Sequence, residues 1–241
     1  MKKLFFGFFV LVLISMVGIG CSGAENSLPA VGSAVGSDSD RSAVSSKDSG
    51  REKDSSTSVL RRLWVDPPTL DPHLMGDTTS AGIVVEVFSG LVSLNTNLEL
   101  VPDIAESWVI DDGVVYTFKL RTNARFHNGK SVTAHDFKWS IERAASPKTA
   151  SPVADTYLND IVGAMDYMEG KASEISGLRV VDDTTLQITT DAPKAYFLAK
   201  LTYPTAYVLD SETVDQGGRD WWVYNPVGTG AFKLKEYRIG E

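Results

Sequence analysis

The fold is decided by residues 100–144, LVPDIAESWVIDDGVVYTFKLRTNARFHNGKSVTAHDFKWSIERA. SWVI, an Asp-Asp-Gly turn and VVYTFKLR make a hairpin. Tyr116, Phe118 and Leu120 alternate with Val115, Thr117, Lys119 and Arg121, the period of a half-buried strand. ARF ends a strand, and His127-Asn128-Gly129-Lys130 supplies an Asn-Gly turn. Thr133 then stands three residues before Asp136, close to a capping box, with the Asp136 charge in the first helical turn. The helix from Ala134 places Phe137, Ile141 and Ala144 on one face with Ser140 beside them. Lys138 and Glu142 form an i, i+4 pair outside, and Trp139 lies off the apolar face, where it can meet a different element.

The same stretch holds His127, His135 and Asp136, which could suggest a metal or acid–base site. Eight residues and a turn separate the two histidines, matching no helical ligand pair. Both are read as scaffold, with no metal and no cofactor expected.

Outward from this core, LRVV, a turn at Asp182-Asp183 and TLQIT repeat the hairpin plan. Between the hairpins, YLNDIVGAMDYMEG (157–170) predicts a helix whose face is Leu158, Ile161, Val162, Met165 and Met168, ending at Gly170. Upstream, DTTSAGIVVEVFSGLV predicts a short helix capped by Thr78 or Thr79 and stopped by Gly90. VLRRLWVD (59–66) predicts a strand ending at Pro67-Pro68. Mixed strands and helices in this order give an α/β or α+β domain.

The N-terminus has a different character. MKKLFFGFFVLVLISMVGIGC carries two lysines, then an apolar run from Leu4 to Ile19, short for a membrane span, and small residues ahead of Cys21. VGIGC resembles a bacterial lipobox, although Gly18 stands where a leucine is usual. The expectation is a signal peptide over 1–20, with Cys21 as the lipid-modified (palmitate-bearing) N-terminus of a lipoprotein on the cell membrane, facing the extracellular or periplasmic side. Residues 21–58, rich in serine, glycine and short charged side chains and without an aromatic, read as a disordered tether. Residues 59–241 are the foldable part. The formal net charge is −8, and removing residues 1–20 makes it more negative by two, which argues against nucleic acid as a partner. No G-x-S-x-G, H-E-x-x-H or paired-cysteine pattern occurs, so an enzyme is not expected.

From about Leu60 to the C-terminus the chain resembles the extracytoplasmic solute-binding proteins of peptide and nickel ABC importers (solute-binding protein family 5). The resemblance is carried by Pro102-Asp103-Ile104-Ala105-Glu106-Ser107-Trp108, the Asp-Asp-Gly hairpin, the F-x-L-R strand, F-x-x-G and T-A-x-D-F. It extends to PPTLDPH (67–73), FSGLV (88–92) and PVGTGAFKLKEY (226–237). SPKTASPVADTYL (146–158) makes the oligopeptide-binding members the nearest likeness.

The resemblance implies a two-lobed, type II periplasmic-binding-protein fold that closes by a hinge on its ligand, of which this chain carries only the N-terminal lobe portion. It implies a monomeric binding protein that presents an extracellular oligopeptide to permease subunits and their ATPase. The peptide lies extended and pairs through its main chain. His73–Thr78 fall in the loop that supplies backbone contacts, so Met75, Gly76, Asp77 and Thr78 are candidate ligand residues, with Gly76 allowing close approach. Tyr157 matches a ligand-facing tyrosine, although this chain is one residue longer just before it. The acidic residue that pairs with the peptide amino group lies, in the family, in the other lobe. Alternatives on the same fold are a nickel or metal-chelate binder, a peptide sensor, or a product that binds nothing by itself. Trp221 and Trp222 could stack a ligand but read more simply as lobe-surface or core aromatics.

Overall fold

The computed structural model describes residues 64–224 and 226–238. The signal peptide, Cys21, the tether and most of the 59–66 strand lie outside them. Within that strand, Trp64–Asp66 are described and are not extended into a sheet. The Trp64 ring instead lies on Gly82, where a Cβ would overlap it, and its Nε1 donates to the Thr79 carbonyl (2.9 Å).

The centre is a four-stranded antiparallel sheet, β3 (Ala105–Asp111), β4 (Val115–Leu120), β5 (Leu178–Asp182) and β6 (Thr185–Thr189), in the order β3-β4-β6-β5. Both hairpins form as the alternation requires. The turn holds three residues between the paired Asp111 and Val115; Asp112 (φ 51°) and Gly113 (φ 73°) are left-handed, and the Val114 N–H donates to the Asp111 carbonyl (3.1 Å). Tyr116, Phe118, Leu120, Leu186 and Ile188 are buried on one face, where helix α2 (Ala134–Ala145) covers them with Phe137, Ile141 and Ala144. A smaller ribbon pairs β1 (Val92–Leu94) with β2 (Leu100–Pro102).

The α2 capping box is complete. Thr133 Oγ1 accepts from the Asp136 N–H (3.3 Å), and the Asp136 carboxylate accepts from the Thr133 N–H (2.8 Å). Lys138 reaches Glu142 at 3.7 Å but pairs more closely with Glu174 at 2.7 Å. ARF forms only an isolated bridge between Arg125 and Ser131 rather than a strand end, while Gly129 (φ 89°) makes the turn.

The helix expectations are corrected at several points. Residues 157–170 are not one helix: α3 (Ala154–Leu158) and α4 (Ala164–Met168) are separated by Gly163 at φ 78°. Ile161 bridges Thr190 and the Val162 N–H donates to the Thr189 carbonyl, so the sheet edge takes this segment away from helix geometry. Val162 and Met165 consequently face solvent. Helix α1 (Thr78–Val87) is capped by Asp77 rather than by a threonine, because the Asp77 carboxylate takes both the N–H and the hydroxyl of Ser80 (2.8 Å each).

Helix α1 also ends before Gly90, with Phe88 extended. Its last carbonyls are capped from far along the chain: Glu86 and Val87 accept from the N–H groups of Phe232 and Gly230. That contact explains a glycine in PVGTGAF, since a Cβ on Gly228 would run into the Val87 carbonyl. His127 secures the same segment, donating its backbone N–H to Gly228 (2.8 Å) and placing Nε2 2.9 Å from the Gly230 carbonyl oxygen. His135 is exposed near Asp183. Among the described residues neither histidine belongs to a cluster of potential metal ligands.

A second core cluster gathers Leu70, Met75, Val84, Val87, Phe88 and Leu209 with Trp221 and Trp222 of the short helix Trp221–Tyr224. Trp139 packs on this cluster and not on the sheet, which is why it stands off the main face of α2. Trp221 meets Phe88 edge-on at 5.9 Å. Both tryptophans are therefore core residues. Trp108 is half-buried against the main core, tilted toward Phe118.

Candidate functional site

Loop 71–77 is held by a buried polar node. The Asp71 carboxylate accepts four hydrogen bonds: Arg143 Nη1 and Nη2 (3.1 and 2.6 Å), Trp221 Nε1 (3.0 Å) and the His73 N–H (2.9 Å). The last of these closes an Asx-type turn over Asp71-Pro72-His73. Burial works to raise the Asp71 pKa, but the Arg143 hydrogen bonds and charge prevail and hold it below the usual carboxylate range.

His73 is wholly buried, and burial pushes its pKa down to about 4, with the Arg143 charge acting in the same direction. It is therefore neutral at pH 7. Its Nδ1 lies 2.9 Å from Arg143 Nη1 and must accept, so Nε2 carries the proton and donates to the Tyr207 carbonyl at 3.1 Å. The Asp71 carboxylate thereby ties the loop to α2 and to the helix Trp221–Tyr224, and the His73 ring ties it to the segment at Tyr207.

On this rigid base the candidate residues are arranged as follows. The Met75 side chain is buried in the second core cluster and its N–H donates to the Asp71 carbonyl (3.2 Å), which leaves its own carbonyl as the group it can offer. Gly76 is exposed, and a Cβ there would sit 3.7 Å from Pro152 and 3.9 Å from Val153, ordinary contact distances. Packing within the chain thus does not require glycine at 76. The Asp77 carboxylate is engaged in capping α1, and those hydrogen bonds hold its pKa down. Thr78, the first residue of α1, is exposed.

Pro152 and Val153 lead directly into α3, where Tyr157 is half-buried and stacked face to face on Tyr203, with centroids 3.8 Å apart and rings 8° from parallel. Burial raises the Tyr203 pKa, and the charge of Asp77 contributes, which places the capping carboxylate beside the tyrosine pair. Residues 75–78 and Tyr157, some 80 positions apart in sequence, therefore share one neighbourhood. Sequence reasoning missed Asp71, Arg143 and Tyr203. The Asp-Pro-His turn was a readable local signal for Asp71, whereas no local pattern marks its partner 72 residues away.

The model of the bacterial extracellular solute-binding proteins, family 5 (middle), matches residues 99–241. The chain is 34% identical over 187 residues to the periplasmic oligopeptide-binding protein OppA of Escherichia coli K12, covering 76% of this chain and 34% of that protein. It is 35% identical over 183 residues to the probable deoxycholate-binding periplasmic protein YgiS of the same organism, covering 73% of this chain and 34% of the relative. The solved Escherichia coli murein tripeptide binding protein MppA superposes with a TM-score of 0.70 at 33% identity, over 74% of this chain and 36% of that one. The chain thus spans about a third of the length of these relatives. With its hairpin sheet, capped α2 and clamped loop, the chain carries part of a type II periplasmic-binding-protein fold and belongs to the family 5 bacterial extracellular solute-binding proteins.

Proposed function

We propose that this chain forms one wall of the cleft in which the substrate-binding lipoprotein of an ABC importer captures extracellular oligopeptides. The observation that carries the reading is the meeting of loop 75–78 with the Pro152–Tyr157 segment. An exposed glycine backbone, not required by internal packing, lies beside a stacked tyrosine pair. Free main-chain groups next to an aromatic floor suit an extended peptide that pairs through its backbone and rests a side chain on the rings. The Asp71 node keeps that backbone fixed before ligand arrives, which limits the ordering cost of binding.

In this reading residues 1–20 are removed, Cys21 carries lipid, residues 21–58 are a tether, and the 59–241 domain works outside the membrane as a monomer with permease subunits and their ATPase. The anchor has a direct test. A Cys21→Ser variant is expected to leave the membrane fraction and lose incorporated palmitate, and a variant that still carries lipid would refute it.

Peptide capture is tested by titrating the isotope-labelled protein with a mixture of tri- to pentapeptides at millimolar concentration, where even a half-cleft registers. Amide signals of residues 75–78 and 157 are expected to shift, and Tyr157→Ala to weaken the interaction by about tenfold, the loss of one aromatic contact. Deoxycholate shifting those signals where peptides do not would overturn the peptide reading in favour of a steroid-like ligand.

A further inference from the structure

Behind the clamped loop lies a cavity of about 550 Å³ whose walls include Asp71, Leu74, Arg143, Lys148, Ala150 and Arg219. Its charges are unbalanced. Asp71 is matched by Arg143, whereas Lys148 and Arg219 have no ion-pair partner among the described residues. Both are exposed, and two cations without an ion-pair partner on one concavity stand out in a chain of net charge −8. Arg143 adds to them: its Nη1 and Nη2 serve Asp71 and His73, while no hydrogen bond occupies its Nε within the described residues.

The cavity adjoins the candidate peptide site through both of its walls. Leu74 precedes Met75 and Gly76, and Ala150 precedes Pro152 and Val153, the two residues that Gly76 faces. Ala150 is one of three non-glycine residues with positive φ among the described residues, at 53°. A left-handed alanine carries a conformational cost, and such cost tends to persist where a loop is shaped for a ligand.

We propose that this cavity receives a carboxylate of the bound peptide, held by Lys148 and Arg219, and so biases the protein toward acidic ligands. A carboxylate fits because the guanidinium of Arg219 offers a planar fork and Lys148 a point charge from an adjoining wall. The group could come from a glutamate or aspartate side chain or from the peptide's own C-terminus, since both present the same oxygens. This inference rests on the peptide reading above and names the ligand class that site would favour.

The test compares three ligands on the full chain by the same titration: Ala-Gln-Ala amide, Ala-Glu-Ala amide, and Ala-Gln-Ala with a free C-terminus. At least one carboxylate-bearing peptide is expected to bind about tenfold tighter than the neutral amide, the scale of one charge-assisted hydrogen bond. Which one does so identifies the source of the carboxylate. In Lys148→Gln/Arg219→Gln the acidic-to-neutral ratio should fall below about twofold. Because that ratio is taken within a single protein, any general loss of folding cancels. Equal binding of all three peptides by the unmodified chain would overturn the carboxylate site and leave the peptide reading standing, as would a preference that survives the double substitution. Absence of binding by any peptide would overturn the peptide reading and this inference with it.

Discussion

Replacing Arg143 with alanine is expected to destabilise the domain by about 3–5 kcal/mol, the cost of leaving one partner of a buried ion pair uncompensated. Asp71 is fully buried, and two of its four hydrogen bonds come from the Arg143 guanidinium. The substitution also removes the donor at His73 Nδ1. While His73 is neutral, Trp221 and the His73 N–H supply only dipoles to the carboxylate, so at pH 7 Arg143 is the charge that balances it within the node. Urea denaturation monitored by tryptophan fluorescence measures the loss, and Trp221 within the node is a local reporter. A second variant separates charge from packing. Adding Asp71→Leu to Arg143→Met should recover a large part of the loss, because an apolar pair of similar bulk leaves no charge stranded. A loss below about 1 kcal/mol for Arg143→Ala would show that water reaches Asp71 and that the node does not hold the loop.

Acid should destabilise the protein in a window set by His73. Its folded pKa of about 4 lies below the ordinary value of 6.5, so between those pH values the unfolded chain binds a proton that the folded chain refuses. Stability attributable to His73 is therefore complete above about pH 6.5 and is lost as pH falls toward 4, by about 3 kcal/mol in all. The physical reason is that an imidazolium there would sit unsolvated, with Nδ1 pointed at the Arg143 guanidinium. Asp71, whose pKa is also held down, adds a further loss below the carboxylate range. Denaturation midpoints at pH 7.5 and 4.5 should differ accordingly, and His73→Asn should be weaker at neutral pH but show a smaller difference between the two. An undiminished pH dependence in the variant would assign the acid sensitivity to other groups. In the proposed peptide-binding reading, protonation would loosen the loop that bears Met75 and Gly76.

Much of the architecture was legible because it is decided locally. Alternation fixed which face of β4 and β6 is buried, Asp-Asp-Gly marked the turn, and Thr133 with Asp136 announced the start of α2. Even the off-face position of Trp139 foretold a second packing partner. The errors occurred where distant residues overrule local preference. Leu158, Ile161, Val162, Met165 and Met168 have helical spacing, yet the sheet edge hydrogen-bonds to Ile161 and Val162, and Gly163 breaks the run. Gly90 resembles a helix stop, yet the PVGTGAF segment satisfies the last α1 carbonyls at Glu86 and Val87, and the helix ends there.

The candidate site divides in the same way. The sequence by itself determined the family, the hairpin-and-helix scaffold and the two segments that bear Met75–Thr78 and Tyr157, since each is written in contiguous residues. Only the tertiary structure decided that Gly76 faces Pro152 and Val153, that Tyr203 stacks on Tyr157, and that Asp71 must have Arg143. Hydrophobic periodicity and turn chemistry act over a few residues and leave a repeating trace in the sequence. A hydrogen bond across 72 positions leaves none, and the clamped loop and its basic cavity exist only once the chain has closed on itself.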